Sequence, residues 1–323
     1  MPLTISCQFT TSNRVPEYIR IAEQLGYSRA FCCDTPTLYS EVWMQLARAA
    51  ERTERIGIGP GVLVPALRHP MVNAAAISTL VSLVGQERVS VAIGSGFAGR
   101  RMLGQKPVRW ADVAAYIKVL RALLAGEQAQ WEGKTIQLLH DGDFGARLPI
   151  RVPLLVAVSG PKGIQVGHEI GDGVFCAPNP VGGFDVSVLA LMGTVLDEGE
   201  DPSSERVLAS AGPAAAMAFH FAYESGLLQY MPGTHEWAES YDEIDETTRH
   251  LQIHDKHLIG VSDRDRRFLT TQFLQEQGSV FTPKELRERL AAAEELGVTE
   301  FAYTPTSTDV PRELEAFAAA VFD

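Results

Sequence analysis

The chain has 323 residues, 46% of them hydrophobic, and a formal net charge of −12. This acidic balance argues against nucleic acid as a partner, because binding a polyanion requires clustered Lys and Arg. The most apolar run, 211–222, is shorter than the roughly 20 residues of a membrane span, and the N-terminus lacks a secretory pattern. We therefore expect a cytoplasmic protein with a small-molecule partner and no membrane contact.

Short apolar runs alternate with segments of helical period along the chain. Such nearly continuous apolar runs are typical of parallel strands that are buried on both faces. The pattern predicts an α/β fold, a (β/α)8 TIM barrel forming a single domain over 1–323, with insertions at about 126–148 and 219–278 over the C-terminal mouth. The eight predicted strands are 3–9, 28–33, 55–63, 88–94, 153–159, 173–177, 206–211 and 300–304.

Cysteine and histidine spacing predicts no metal ion. Cys7, Cys32, Cys33 and Cys176 lie in predicted strands and are interpreted as free, buried side chains. His250, His254 and His257, together with Asp255, fall near one face of a helix and leave a metal site open as an alternative. A solvated helix or lid is favoured, since no matching carboxylate and histidine signature flanks them.

Chemistry in such a barrel takes place at the C-terminal ends of the strands. The segment Gly94 to Gly99 matches G-x-G-x-x-G, but a Rossmann loop requires an immediate helix and a later acidic residue, and neither is expected here. Ser159-Gly160-Pro161-Lys162 lies between a strand and a helix, where a phosphate could bind at the helix N-terminus. An ordinary turn with a serine cap is the alternative. His69, at the start of the third helix, is interpreted as a structural cap.

Four of these segments, taken in order, resemble the luciferase-like superfamily, and most closely its methylenetetrahydromethanopterin reductase-like branch, which uses coenzyme F420. The segments are 31–34, 58–70, 91–104 and 156–173. The resemblance implies a homodimeric barrel that binds F420, or alternatively FMN, at its mouth. It also implies a non-prolyl cis peptide at Gly61-Val62 beneath the ring. The implied cofactor-binding residues are Asp34, Gly61, Val62, Gly94, Ser95, Gly96, Ser159, Gly160, Pro161, Lys162, Ala177 and Pro178.

One position departs from the F420 branch, in which a histidine that serves as acid or base in some members commonly follows the aspartate. Here that position is Thr35, and a hydroxyl does not exchange protons near neutral pH as imidazole does. Thr35, Tyr39 and Glu41 are weak catalytic candidates, and His220 and His254 are further candidates from the insertion. The proton donor stays unassigned.

Three functions are compatible with these features. The leading hypothesis is an F420-dependent oxidoreductase that transfers a hydride between the deazaflavin and a small organic substrate. The first alternative is an FMN-dependent luciferase-like monooxygenase. The second alternative is a non-catalytic flavin- or deazaflavin-binding barrel. The reason to consider it is that Thr35 occupies the position of the family histidine.

Overall fold

The computed structural model describes residues 4–231 and 233–322. Their strands are β1 Thr4–Phe9, β2 Arg29–Cys32, β3 Gly57–Leu63, β4 Val91–Ile93, β5 Ala129–Trp131, β6 Lys134–Ile136, β7 Leu154–Val158, β8 Gly173–Cys176, β9 Ser187–Met192, β10 Thr194–Val195, β11 Val280–Phe281 and β12 Glu300–Thr304. Their helices are α1 Val15–Gln24, α2 Val42–Ala50, α3 Pro70–Val84, α4 Phe97–Arg101, α5 Trp110–Ala125, α6 Pro161–Ile170, α7 Glu205–Ser225, α8 Thr234–Glu239, α9 Glu246–Ile253, α10 Asp263–Arg266, α11 Thr271–Glu276, α12 Pro283–Glu295 and α13 Val310–Phe322.

Eight of the strands close into a barrel in the order β1-β12-β9-β8-β7-β4-β3-β2. Every neighbouring pair in this barrel is parallel. The (β/α)8 prediction is therefore confirmed. Outside the barrel, β5 and β6 form an antiparallel hairpin, and β10 pairs with β11 in parallel.

The seventh strand was predicted in the wrong place. Residues 206–211 belong to α7, whose N-cap Ser204 accepts a hydrogen bond from the Val207 amide. Val207, Ala211 and Ala215 follow at intervals of four residues and are buried, as expected for one helix face. The true seventh strand is β9. It follows β8 without an intervening helix, so it breaks the strand–helix alternation on which the prediction rested.

The core has three parts. Apolar residues between the strands and the outer helices form the largest cluster. A second cluster fills the barrel interior, where Phe31 and Phe175 meet edge to face with ring centroids 5.2 Å apart. A third cluster lies outside the barrel and joins α7 to the short helices that follow it, around Phe219 and Trp237. We call residues 205–231 and 233–278 the cover segment.

Two smaller features bear on the sequence predictions. His69 is the N-cap of α3, where its Nδ1 accepts a hydrogen bond from the Met71 amide at 3.1 Å, as predicted. Among the described residues, none of the helices is long and apolar enough to pass through a lipid bilayer.

Candidate cofactor site at the barrel mouth

A cavity of about 130 Å³ lies at the C-terminal ends of the first four barrel strands. The cover segment contributes two residues to its wall, so the cavity lies between the barrel and the cover. Its lining consists of Gln8, Cys33, Asp34, Thr35, Tyr39, Val62, Val64, Gly96, Phe97, Ala98, Gly99, His257 and Leu258.

The floor of the cavity is formed around the end of β3. The Gly61–Val62 peptide is cis, as the sequence resemblance predicted, and the register between β3 and β4 shifts at this point. Gln8 donates its side-chain amide to the carbonyl oxygen of Gly61 at 2.7 Å. The Gln8 carbonyl oxygen in turn accepts from the Thr304 hydroxyl at 2.8 Å, so one amide joins three strands beneath the mouth.

Two glycines keep this floor flat. A Cβ atom on Gly94 would lie 2.8 Å from Val62 Cγ1 and 3.0 Å from the Ala157 Cβ. Gly96 has a φ of +78° and a Cβ there would lie 2.5 Å from Val64 Cγ1. Larger residues would push Val62 and Val64 into the cavity, so these glycines preserve the space above the strand ends.

Asp34, the acidic residue at the end of β2, forms an ion pair with Arg68. Asp34 is buried and accepts two hydrogen bonds from Arg68, at 2.7 and 3.0 Å. Arg68 also donates to Glu41 at 2.6 Å. Burial raises the pKa of Asp34, while Arg68 opposes that shift. Asp34 therefore positions the β2 end through an ion pair and offers the cavity no free carboxylate.

The three weak catalytic candidates occupy different positions. Thr35 lies in the cavity wall, and Tyr39 lines the same cavity. The Tyr39 hydroxyl donates to the carbonyl oxygen of His257 at 2.6 Å, and burial raises its pKa well above the usual value. Glu41 is outside the lining set and caps α2 by accepting from the Met44 amide at 2.8 Å. Thr35 is thus the candidate with a side chain left for a ligand.

A second corner of the mouth lies at the ends of β7 and β8. Gly160 is the N-cap of α6 and Pro161 begins the helix, with no side-chain cap. The alternative of a serine cap is therefore wrong, and the exposed Ser159 precedes the helix. The Ala177 amide donates to the Val158 carbonyl at 3.4 Å, which holds the Ala177–Pro178 end beside this corner. A Cβ on Gly160 would meet no atom within 4 Å, so space is open above the helix start.

The glycine-rich segment differs in one respect from the prediction. A helix does begin at once after Gly96, namely α4, although it spans only five residues. The segment nevertheless belongs to a closed barrel, so the Rossmann alternative is excluded by topology. Its short helix instead carries Phe97, Ala98 and Gly99 into the cavity wall.

Sequence reasoning missed three residues of the cavity. Gln8 could have been found, because Ser6 and Gln8 alternate with apolar residues along β1 and therefore point into the barrel. His257 and Leu258 carried no such signal, since their position depends on how the cover segment folds over the mouth. The interpretation of the 250–257 histidines as solvated is also wrong for His254 and His257, which are both buried.

A larger surface depression, of about 620 Å³, lies elsewhere. It is lined by Arg121, Asp172 and the residues leading into β7, which places it at the N-terminal end of the barrel. Enzymes of this fold carry their chemistry at the opposite end, so we assign the smaller mouth cavity as the functional site.

A family model for the luciferase-like monooxygenases matches residues 4–300. The chain belongs to this family. Its relatives include an F420-dependent glucose-6-phosphate dehydrogenase of Beutenbergia cavernae, 32% identical over 180 residues that cover 49% of this chain and 51% of the relative. A 5,10-methylenetetrahydromethanopterin reductase of Methanolobus tindarius is 25% identical over 219 residues, covering 65% of this chain and 64% of that one. The matches thus span about half to two thirds of the curated relatives.

Solved structures share the fold of this luciferase-like chain over nearly its whole length. The F420-dependent tetrahydromethanopterin reductase from Methanopyrus kandleri has a TM-score of 0.66 at 17% identity, covering 100% of this chain and 99% of that one. An F420-dependent secondary alcohol dehydrogenase with an F420–acetone adduct has a TM-score of 0.68 at 18% identity, with 100% of both chains covered. A Baeyer–Villiger monooxygenase from Pseudomonas putida in complex with FMN has a TM-score of 0.62 at 13% identity, with 99% and 98% covered.

Proposed function

We propose that this protein is an F420-dependent oxidoreductase that transfers a hydride between the deazaflavin and a small organic substrate. The observation that carries the proposal is the end of β3, where Val62 lines the cavity after a cis peptide, Gln8 braces the Gly61 carbonyl, and a side chain on Gly94 would collide with Val62. The F420-dependent glucose-6-phosphate dehydrogenase to which the chain is similar supports the choice of cofactor. Bound F420 would supply the hydride-transferring ring, and the protein would supply orientation and exclusion of water.

The predicted cofactor residues divide into two groups on this proposal. The ring would lie on the floor, against Gly61, Val62, Gly94, Ser95 and Gly96, with Asp34 beside it. The phosphate would bind at the start of α6, where uncapped backbone amides and the helix dipole favour an anion. Its contacts there would be Ser159, Gly160, Pro161 and Lys162, next to Ala177 and Pro178.

Space at the mouth constrains how the ring enters. Pockets for molecules of this size occupy about 300 to 1,000 Å³, whereas the mouth cavity measures about 130 Å³. The lid over it consists of α4 and the turn containing His257 and Leu258. The floor and the open α6 corner fit a flat ring with a phosphate, provided that this lid moves outward. Cofactor binding should therefore displace α4 relative to the barrel.

Thr35 would orient the substrate and would not exchange its proton. Thr35 lies in the cavity wall, and a hydroxyl does not exchange its proton near neutral pH as imidazole does. Asp34 is committed to Arg68 and Tyr39 to the His257 carbonyl. The proton that accompanies hydride transfer would then come from solvent or from the substrate itself.

Equilibrium binding of F420 and FMN to the purified chain tests the proposal. F420 should bind more tightly than FMN, and Ser159→Asp should weaken F420 by about tenfold or more through repulsion of the phosphate, equivalent to about 1.4 kcal/mol. Ser28→Asp is the matched control, because Ser28 is an exposed serine at the opposite end of the barrel. It should leave binding unchanged. Preference for FMN, or equal effects of the two variants, would contradict the proposal.

An FMN-dependent monooxygenase is the second candidate, favoured by the fold likeness to an FMN-bound oxygenase. The two functions differ in their need for oxygen. Substrate-dependent oxidation of reduced F420 under anaerobic conditions would exclude the monooxygenase. It would also exclude the non-catalytic cofactor-binding barrel.

We also propose that the chain acts as one barrel domain over 1–323 and forms a homodimer in the cytoplasm without nucleic-acid partners. The four free cysteines suit a reducing compartment, and the net charge of −12 disfavours polyanions. Met44 on α2 and Val72 on α3 are 67% and 53% exposed on two neighbouring helices, which supports a face for a second copy. Light scattering of the purified chain measures the oligomeric state.

A further inference from the structure

Three histidines that are distant in the sequence meet beneath the cover segment. His220 lies in α7, His254 ends α9, and His257 follows in the turn over the mouth. All three are buried, and one ring nitrogen from each lies within 4.8 Å of the others. We propose that His220, His254 and His257 bind a divalent transition-metal ion, of which Zn²⁺ is the best match, through their Nδ1 atoms. This inference does not depend on which cofactor the mouth binds.

Hydrogen bonding alone does not satisfy the cluster. His254 Nε2 lies 3.1 Å from a carboxylate oxygen of Glu224 and so carries the proton, which leaves a lone pair on Nδ1. That Nδ1 is buried and has no hydrogen-bond partner. His220 Nδ1 and His257 Nδ1 lie 3.1 Å apart, so a single proton can satisfy that pair but not His254 as well. A cation among the three nitrogens would satisfy all of them.

The surroundings have the composition of a metal site's outer shell. Glu224 faces His254 Nε2, and Asp265 lies 3.7 Å from His220 Nε2. Carboxylates on the far nitrogen of a ligating histidine fix its tautomer and strengthen it as a ligand.

Distances are compatible with tetrahedral coordination. Imidazole nitrogens at about 2.0 to 2.1 Å from Zn²⁺ lie about 3.3 Å from one another. The Nδ1 atoms of His220 and His257 are 3.1 Å apart, and one ring nitrogen of each of the three histidines lies within 4.8 Å of the others, so only small side-chain movements are needed. Imidazole ligands without thiolate suit Zn²⁺, Co²⁺ or Ni²⁺.

The position of the cluster gives the ion a role. His257 and the adjacent Leu258 line the mouth cavity, while His220 belongs to the helix that forms the third core cluster. The ion would therefore fasten the turn above the mouth to α7. His250, on α9, is half-buried and outside the cluster, which makes it a matched control.

The experiment uses the full chain without a histidine tag, stripped with chelator and then dialysed against Co²⁺ or Zn²⁺. Metal content should reach about one equivalent per chain, and the Co²⁺ form should show the strong visible bands of tetrahedral coordination. X-ray absorption should show nitrogen at about 2.0 Å with no sulfur, which separates the site from the four cysteines. Less than about one tenth of an equivalent in folded wild-type protein would overturn the proposal.

Variants locate the ion. His257→Gln should lower the affinity for Co²⁺ at least tenfold, whereas His250→Gln should leave this affinity unchanged. The circular dichroism spectra of both variants should match that of the wild type. Equal affinity in His257→Gln and wild type would overturn the assignment. Should His257→Gln fail to fold, the sulfur-free, nitrogen-rich spectrum of the wild-type Co²⁺ form decides between this cluster and the cysteines.

Discussion

The barrel interior and the cover segment are stabilised in different ways. The interior cluster is formed by side chains from successive parallel strands, with Phe31 and Phe175 filling its centre. The cover segment has a separate core of aromatic rings, in which Phe219 lies against Trp237 at 5.6 Å and Phe273 at 4.7 Å. Strand pairing gives the mouth a fixed floor, whereas its lid is held by helix packing and by side-chain contacts such as the Tyr39 hydrogen bond to His257. We therefore expect the cofactor site to combine a rigid floor with a cover segment that can move or unfold independently of the barrel strands.

One group of contacts between the two regions lies at α4. Arg101 and Glu224 form an ion pair at 2.9 Å, and Phe97 meets Phe221 and His254 with ring centroids 5.8 and 5.9 Å apart. These contacts link the glycine-rich segment to α7 and to the histidine cluster. Changes in the cover should thus reach the mouth through α4 as well as through His257 and Leu258, which line the cavity.

The largest effect is expected from Trp237→Ala. Trp237 is fully buried and donates to Asp265 at 2.8 Å, so the change removes both packing and a hydrogen bond. The free energy of unfolding should fall by about 5 kcal/mol, measured by urea denaturation. Hydrogen exchange should rise in the cover segment more than in the barrel strands, and an equal rise in both would refute two separate cores. Leu296→Ala is the control, because Leu296 is 60% exposed.

The next effect concerns the ion pair at the mouth. Arg68→Ala leaves Asp34 buried without its guanidinium and should cost about 3 to 4 kcal/mol at pH 7. Because burial raises the pKa of folded Asp34, this carboxyl favours the folded state below its unfolded pKa, and that contribution declines as the pH rises through the folded pKa. Without Arg68 the folded pKa rises further, so the loss should be smaller at pH 5 than at pH 7. Denaturation at both pH values measures it, and a pH-independent loss would show that Asp34 is not the cause.

A smaller loss of stability is expected from changing Gln8, which lies beneath the mouth cavity. Gln8→Leu removes the donor to Gly61 and the acceptor for the Thr304 hydroxyl, and should cost about 2 kcal/mol. F420 affinity should fall as well, if the floor supports the ring. Titration of F420 into the wild-type protein and the Gln8→Leu variant measures this loss of affinity. Thr304→Val removes only the hydrogen bond between the Thr304 hydroxyl and the Gln8 side chain, so it should lower the affinity less.

The smallest effect is expected at the rim. Glu41→Gln removes the charge from a half-exposed ion-pair partner of Arg68 but keeps a side-chain oxygen to cap α2. The free energy of unfolding should therefore change by less than about 1 kcal/mol. Thermal unfolding measures this change. A loss as large as that of Arg68→Ala would mean that Glu41, and not Asp34, balances the arginine.

The sequence by itself determined the barrel, the family and the position of the mouth. The strands Gly173–Cys176 and Glu300–Thr304 are buried along their whole length, and β-propensity identifies such short, largely apolar runs locally. The cis peptide after Gly61 and the role of the glycines at 61 and 94 followed from the family resemblance that the four segments carry. The sequence did not reveal β9, since that strand follows β8 without a crossover helix.

Only the tertiary structure decided what lies over the mouth. His220 and His257 are 37 residues apart yet their Nδ1 atoms meet at 3.1 Å, and Tyr39 contacts His257 across 218 residues. No local pattern encodes such contacts, because they arise from the packing of the cover segment's helices on one another and over the barrel mouth. For the same reason, the sequence pattern predicted that His254 and His257 are solvated, whereas the fold buries both of them next to the mouth cavity.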